Sequence, residues 1–124
     1  MKYVDGYVLV VPKKNKKKYI EMASGAAKIW KKYGALGYFE CVGDDLNPKI
    51  GEGKILTFPK LTKLKKGETV WFSFIIYKSK KHRDAVNKKV MKQMEKDMEK
   101  YKDMKMPFDM KKMAFGGFKA VVEK

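Results

Sequence analysis

Val70-Trp-Phe-Ser-Phe-Ile-Ile-Tyr77 is apolar on both of its faces except at Ser73. Side chains alternate across a strand, so a strand with one wet face carries polar residues at every second position. This run does not, and both of its faces call for burial. An amphipathic segment, Ser79–Tyr101, follows at once, and a further apolar strand, Met113–Val122, comes after it. The same order runs earlier in the chain as Tyr3–Val11, Asn15–Tyr33 and Leu36–Val42. Two β-α-β units in one short chain predict an α+β fold, a ferredoxin-like split β-α-β sandwich with an antiparallel sheet. Tyr3–Val11 is also apolar on both faces apart from Asp5 and Gly6. Helices cover one face of such a sheet. The simplest cover for the other is the same face of a second copy, so a homodimer is expected.

The two helical segments carry period-3.6 stripes. In the first, Tyr19, Met22, Ala23, Ala26, Trp30 and Tyr33 step by three and four. Asn15 is the expected N-cap, and Gly34 suits the left-handed position that ends the helix. In the second, Ser79 is the N-cap, and Val86, Val90, Met94, Met98 and Tyr101, with Met91 alongside, form the stripe. Methionines at that spacing read as core filling. Phe58–Leu64 and Val70–Tyr77 flank Lys65-Lys-Gly-Glu68 and read as a hairpin that adds a strand segment. Pro107 prevents the second helix from continuing, and Gly116-Gly117 predicts a bulge in the last strand or a close approach by another backbone or a ligand.

The length of 124 residues fits one domain over residues 1–124. Hydrophobic residues make up 44% and aromatics 13%, which argues against disorder despite a formal charge of +16. Of the 30 basic residues only Arg83 is arginine. Lysine is a solvated point charge and lacks the fork that reads guanine or phosphate bidentately. The charge therefore reads as a solvated lysine-rich surface. The competing reading is sequence-independent nucleic-acid binding by lysine electrostatics. Cys41 is the sole cysteine, which excludes an intrachain disulfide, and one Cys with one His cannot supply a structural zinc site. No cofactor is expected. No run approaches the ~18 apolar residues of a membrane span, and the N-terminus lacks a signal-peptide pattern, so a cytoplasmic protein without a membrane partner is expected.

Several stretches together resemble one family. They are Tyr3-Val-Asp-Gly-Tyr-Val-Leu-Val-Val-Pro-Lys-Lys-Asn15, Glu40-Cys-Val-Gly-Asp-Asp-Leu46, Tyr77-Lys-Ser-Lys-Lys-His-Arg-Asp-Ala-Val-Asn-Lys-Lys-Val-Met91 and Met106-Pro-Phe-Asp-Met-Lys-Lys-Met113 with Gly116-Gly-Phe118. The chain resembles the domain of unknown function 1428 family, the YbaA-like proteins, over nearly its whole length. The resemblance implies a ferredoxin-like protomer of the dimeric α/β barrel superfamily, in which two sheets face each other across a two-fold axis. It transfers no activity. Family members often have Arg where this chain has Lys112, which weakens any anion-fork role there. Superfamily relatives include cofactor-free monooxygenases and haem-degrading enzymes. The latter pair a strand Trp with a helix His and use an Asn on strand one. Trp71 and His82 fit loosely, but strand one offers Asp5 and Tyr7 and no Asn, which sets haem degradation aside.

The residues that could carry chemistry are few. His82-Arg83-Asp84 superficially resembles a kinase catalytic loop, but Asn87 follows too soon and no phosphate-cradling Gly-rich loop is present. His82, at the first turn of the second helix, reads as a partly exposed structural residue, with acid–base work near neutral pH as the competing role. Asp5 needs a partner to be buried, such as backbone amides or Arg83, or else it belongs to a pocket. Asp44 and Asp45 read as turn formers and Cys41 as a small buried hydrophobe. The expected site lies between sheet and helices, with Asp5, Tyr7, Trp71, His82 and Arg83 as its candidates and an anionic or carbonyl ligand near the helix start. The expected activity is small-molecule binding or cofactor-independent catalysis. A structural interaction module is the bland alternative.

Overall fold

The computed structural model describes residues 1–49, 51–102 and 105–124. Its strands are β1 (Tyr3–Pro12), β2 (Gly37–Val42), β3 (Glu68–Tyr77) and β4 (Ala114–Lys119). Its helices are α1 (Lys16–Lys32), the one-turn α2 (Phe58–Leu61) and α3 (Lys80–Tyr101). The sheet order is β2-β3-β1-β4, and every neighbouring pair is antiparallel. With α1 and α3 as crossovers, this is the α+β, ferredoxin-like arrangement that the twice-repeated pattern predicts. Among the described residues, no helix is long and apolar enough to cross a membrane.

The end of α1 and the start of α3 each have a physical cause. Tyr33 and Gly34 close α1 with a Schellman turn, in which Gly34 N–H donates to the Lys31 carbonyl and Ala35 N–H to that of Trp30. Gly34 has φ +111°, a conformation open to glycine. Ser79 caps α3, its hydroxyl accepting from His82 N–H at 3.1 Å. Asn15 does not cap α1. Its amide donates instead to the Pro107 carbonyl at 3.0 Å, tying the start of α1 to the segment after α3.

Parity sorts the sheet into two faces. Tyr3, Asp5, Tyr7, Leu9 and Val11 of β1 share a face with Trp71, Ser73, Ile75 and Tyr77 of β3. The helices cover this face through two adjacent cores. One joins Trp30 and Ala35 to Ile75, Tyr77, Val86 and Val90; the other joins Tyr19 and Ala23 to Leu9, Val11 and Trp71. The opposite face carries Val4, Val8, Phe39, Phe72, Phe74, Ile76 and Phe118. Val10 and Val70 at one end of it are buried, but Phe39, Phe72 and Phe118 remain 47%, 47% and 62% exposed. The two-faced apolar character of β1 and β3 is therefore real, and half of it is left open in the single chain.

Besides the Asn15 cap, four expectations change. Phe58–Leu64 is not a strand: Thr57 accepts from Lys60 N–H and Pro59 stands in the first turn, so the segment starts a short helix. Met91 and Met98 are exposed, and the stripe of α3 is buried only at Val86 and Val90, with Met94 packed against them. The side chain of Tyr101 lies outside those described. Cys41 is exposed, because its parity puts it on the uncovered face opposite Phe72. The last strand has no bulge: Gly116 and Gly117 keep register with Gly6 and Asp5.

The glycine pair serves a close approach instead. A Cβ on Gly117 would lie 2.8 Å from Cε1 and 2.9 Å from Cζ of Tyr3. The Tyr3 ring in turn lies under the Arg83 guanidinium, 4.8 Å from its centroid. Gly117→Ala should therefore displace Tyr3 and cost about 1–3 kcal/mol, the usual penalty for overpacking. Denaturant unfolding measures this, and in a Tyr3→Leu background most of the cost should vanish. An equal cost in both backgrounds would locate the strain elsewhere.

Candidate ligand-binding site

Two carboxylates sit among the tyrosines of the helix-covered face, and they are satisfied differently. Asp5 is fully buried at the middle of the sheet. Its Oδ1 accepts from Arg83 Nη1 at 2.7 Å, while Oδ2 has no hydrogen-bond partner among the described residues. Arg83 also reaches Asp84 through Nε at 2.8 Å. Burial works against the Arg83 charge, but Asp84 and Asp5 outweigh it and hold the guanidinium protonated. One turn on, Asn87 Oδ1 accepts from Trp30 Nε1 at 3.1 Å and from the Tyr77 hydroxyl at 3.2 Å. These contacts lock the start of α3 to β1, β3 and α1.

Glu40, on β2, has different company. Its Oε1 accepts from the Tyr19 hydroxyl at 2.7 Å and from Ser73 Oγ, and its Oε2 from the Tyr38 hydroxyl at 2.8 Å. All three donors are neutral. A carboxylate offers about four acceptor sites, so one stays open. Glu40 lines a cavity of about 420 Å³ between α1 and β2, whose walls include Ile20, Ala23, Tyr38 and Trp71, with Lys16 also on the lining. Trp71 is held by its Nε1–H bond to Thr69 Oγ1 at 3.0 Å and by edge contact with Tyr19, ring centroids 4.9 Å apart.

The five residues singled out by sequence do not form one cluster. Asp5 and Arg83 meet. Tyr7 stands between the two carboxylates and feels both, and its ring stacks on Phe115 at 4.7 Å. Trp71 belongs to the Glu40 cavity. His82 points to neither: its Nδ1 accepts from Lys78 N–H at 3.0 Å, and its ring meets the edge of Tyr77. Asp44 and Asp45 are exposed in the turn after β2, and among the described residues no cluster of acids, His and Cys could hold a metal ion. Glu40 is the residue that sequence reasoning passed over. The signal was the alternation Tyr38-Phe-Glu40, which puts an acid and a tyrosine on one face of a strand.

The family model for "Protein of unknown function (DUF1428)" matches residues 2–110. The uncharacterized protein YbaA of Escherichia coli (strain K12) is 42% identical over 123 residues, covering 99% of each chain. YbaA of Shigella flexneri is similar to the same extent. The chain belongs to this family. Neither the family description nor its relatives' names give an activity, so the functional argument rests on the geometry of the site.

The tyrosines around the two carboxylates share one property. Burial first, and then the nearby negative charge, raises the pKa of Tyr7, Tyr19, Tyr38 and Tyr77 well above the usual phenol value. The folded chain thus keeps protons that the unfolded chain releases above about pH 10. The stabilisation is fully present below that pH and is lost as pH rises through it. The denaturant midpoint should hold steady to about pH 9 and fall above pH 10. Phenolate absorbance should show these four among the 7 tyrosines ionising only as the chain unfolds. Early ionisation of all seven with native circular dichroism would contradict the buried placement.

Proposed function

We propose that this protein is a cytoplasmic homodimer that binds a small organic molecule in the cavity between α1 and β2, without a cofactor. The observation that carries the reading is Glu40: a carboxylate on the wall of a cavity of about 420 Å³, bonded by neutral hydroxyls alone among its described partners. Its open acceptor site favours a ligand that brings a donor, an amine or a hydroxyl. Trp71, Tyr38 and Ile20 favour an apolar or aromatic body behind that group. The dimer is supported by the uncovered face with Phe39, Phe72 and Phe118 exposed. The sole cysteine, Cys41, and the lack of a long apolar helix among the described residues suit the cytoplasm.

A thermal-shift screen of amines, alcohols and aromatic metabolites tests the binding reading. A ligand at a hundred times its dissociation constant should add about 2.7 kcal/mol of stability. Glu40→Gln and Trp71→Leu should stay folded and lose that shift. A shift that survives Glu40→Gln, or none across the screen, would reject this pocket as the site. Sedimentation tests assembly separately. The wild type should run as a dimer at micromolar concentration, and Phe72→Asp, at a half-exposed position, as a folded monomer. A wild-type monomer would refute the dimer.

A further inference from the structure

A second cavity lies on the other side of the helical layer. It measures about 520 Å³, sits between the end of α1 and the middle of α3, and is lined by Lys32, Lys89, Lys92 and Lys96 with Tyr33, Gln93 and a single acid, Asp97. Lys89, Lys92 and Lys96 follow the i, i+3, i+7 spacing of one helix face, so they string three ammonium groups over about 10 Å of axis. Lys32 faces them from α1, standing 5.2 Å from the Tyr33 ring centroid.

Gln93 fixes the polarity of the groove. Its Oε1 accepts from the Tyr33 hydroxyl at 2.6 Å and from Lys32 Nζ at 3.4 Å. An ammonium can only donate, so the amide oxygen must turn to Lys32 and the NH2 is left as a donor. Apart from the Asp97 carboxylate and the oxygen of the Tyr33 hydroxyl, the polar groups lining the groove are donors or an acceptor already in use. Like charges at these helical spacings repel. A ligand with acceptor oxygens along its length relieves that repulsion and uses every donor.

We propose that the groove binds a linear polyphosphate chain, free or as the tail of a nucleotide. Lysines without arginine grip a single phosphate poorly, because no planar fork engages two of its oxygens. They suit several phosphates in a row, each meeting one point charge. The site is separate from the Glu40 cavity, so it stands or falls independently of that reading.

Titration calorimetry of the full chain at low salt, with inorganic tripolyphosphate as the probe, tests the assignment. One site per chain is expected, binding at least tenfold tighter than orthophosphate and weakening as salt is added. Gln93→Glu alone, and Lys89→Gln with Lys92→Gln and Lys96→Gln together, should each weaken it tenfold or more with unchanged circular dichroism. Lys13→Gln, Lys14→Gln and Lys17→Gln together, the same charge change at the other end of α1, should leave it within twofold. Equal losses from the two triple variants would mean diffuse surface charge and overturn the site. Orthophosphate binding as tightly as tripolyphosphate would overturn the chain-like ligand. A single-stranded oligonucleotide binding more tightly at equal phosphate concentration would overturn it in favour of nucleic acid.

Discussion

Asp5 forces the arrangement of the helical layer. A carboxylate with no solvent exposure, at the centre of the sheet, must be met by a donor, and Arg83 Nη1 meets it at 2.7 Å. Removing one partner of such a pair typically costs about 3–5 kcal/mol, because the other charge stays buried alone. Arg83 belongs to the first turn of α3, so the pair fixes where that helix begins on the sheet. The Ser79 cap ends β3's exit at the same point, and Asn87 fixes the next turn through Trp30 and Tyr77. Tyr3 supports the guanidinium from below, and only a glycine at 117 leaves room for its ring. A strand residue, a helix residue and a missing side chain thus act as one unit.

The sheet then has two uses for its two apolar faces. The inner face is only partly apolar. Its strands carry Asp5, Ser73, Glu40 and several tyrosines, and the two acids are met by hydrogen-bond donors from α1, α3 and the strands themselves. Apart from Glu68 at its end, the outer face carries no charge at the paired positions of β1 and β3, and aromatic rings pack on it half-exposed. Phe74 stacks on Phe39 at 4.8 Å and lies beside Phe72 at 5.7 Å. Polar chemistry is confined to the side where helices can satisfy it. The other side is left to contact alone.

Most of the fold was legible because it rests on local period and parity. The strands, the two long helices, the Ser79 cap and the Gly34 terminator are read from neighbours in sequence. Asp5 was legible as a residue in need of a partner, and Arg83 was among the partners named. What failed depended on tertiary pairing. Asn15 has capping chemistry, but Pro107, distant in sequence, takes its amide. Cys41 looks like a core residue until register places it on the open face. Phe58–Leu64 is the exception, missed for a local reason: its strand composition is overridden by the Thr57 cap and Pro59. Glu40 matters only because Tyr19 from α1, Ser73 from β3 and Tyr38 from its own strand converge on it, and no spacing within one segment encodes that.

The contrast between Asp5 and Glu40 bears on where a ligand belongs. Both carboxylates lie on the helix-covered face, with Tyr7 between them. Asp5 is paired with a cation from the chain itself and is closed off from solvent, so a ligand cannot reach it. Glu40 is only half-buried and is held by three hydroxyls, which orient a carboxylate without cancelling its charge. A carboxylate so fixed has paid its ordering cost before any ligand arrives, which favours binding. Its remaining acceptor site and uncancelled charge can be answered from the cavity. The same inner face therefore separates two roles by the kind of donor it supplies: a charged one where the fold must be locked, and neutral ones where a guest's donor can be accepted.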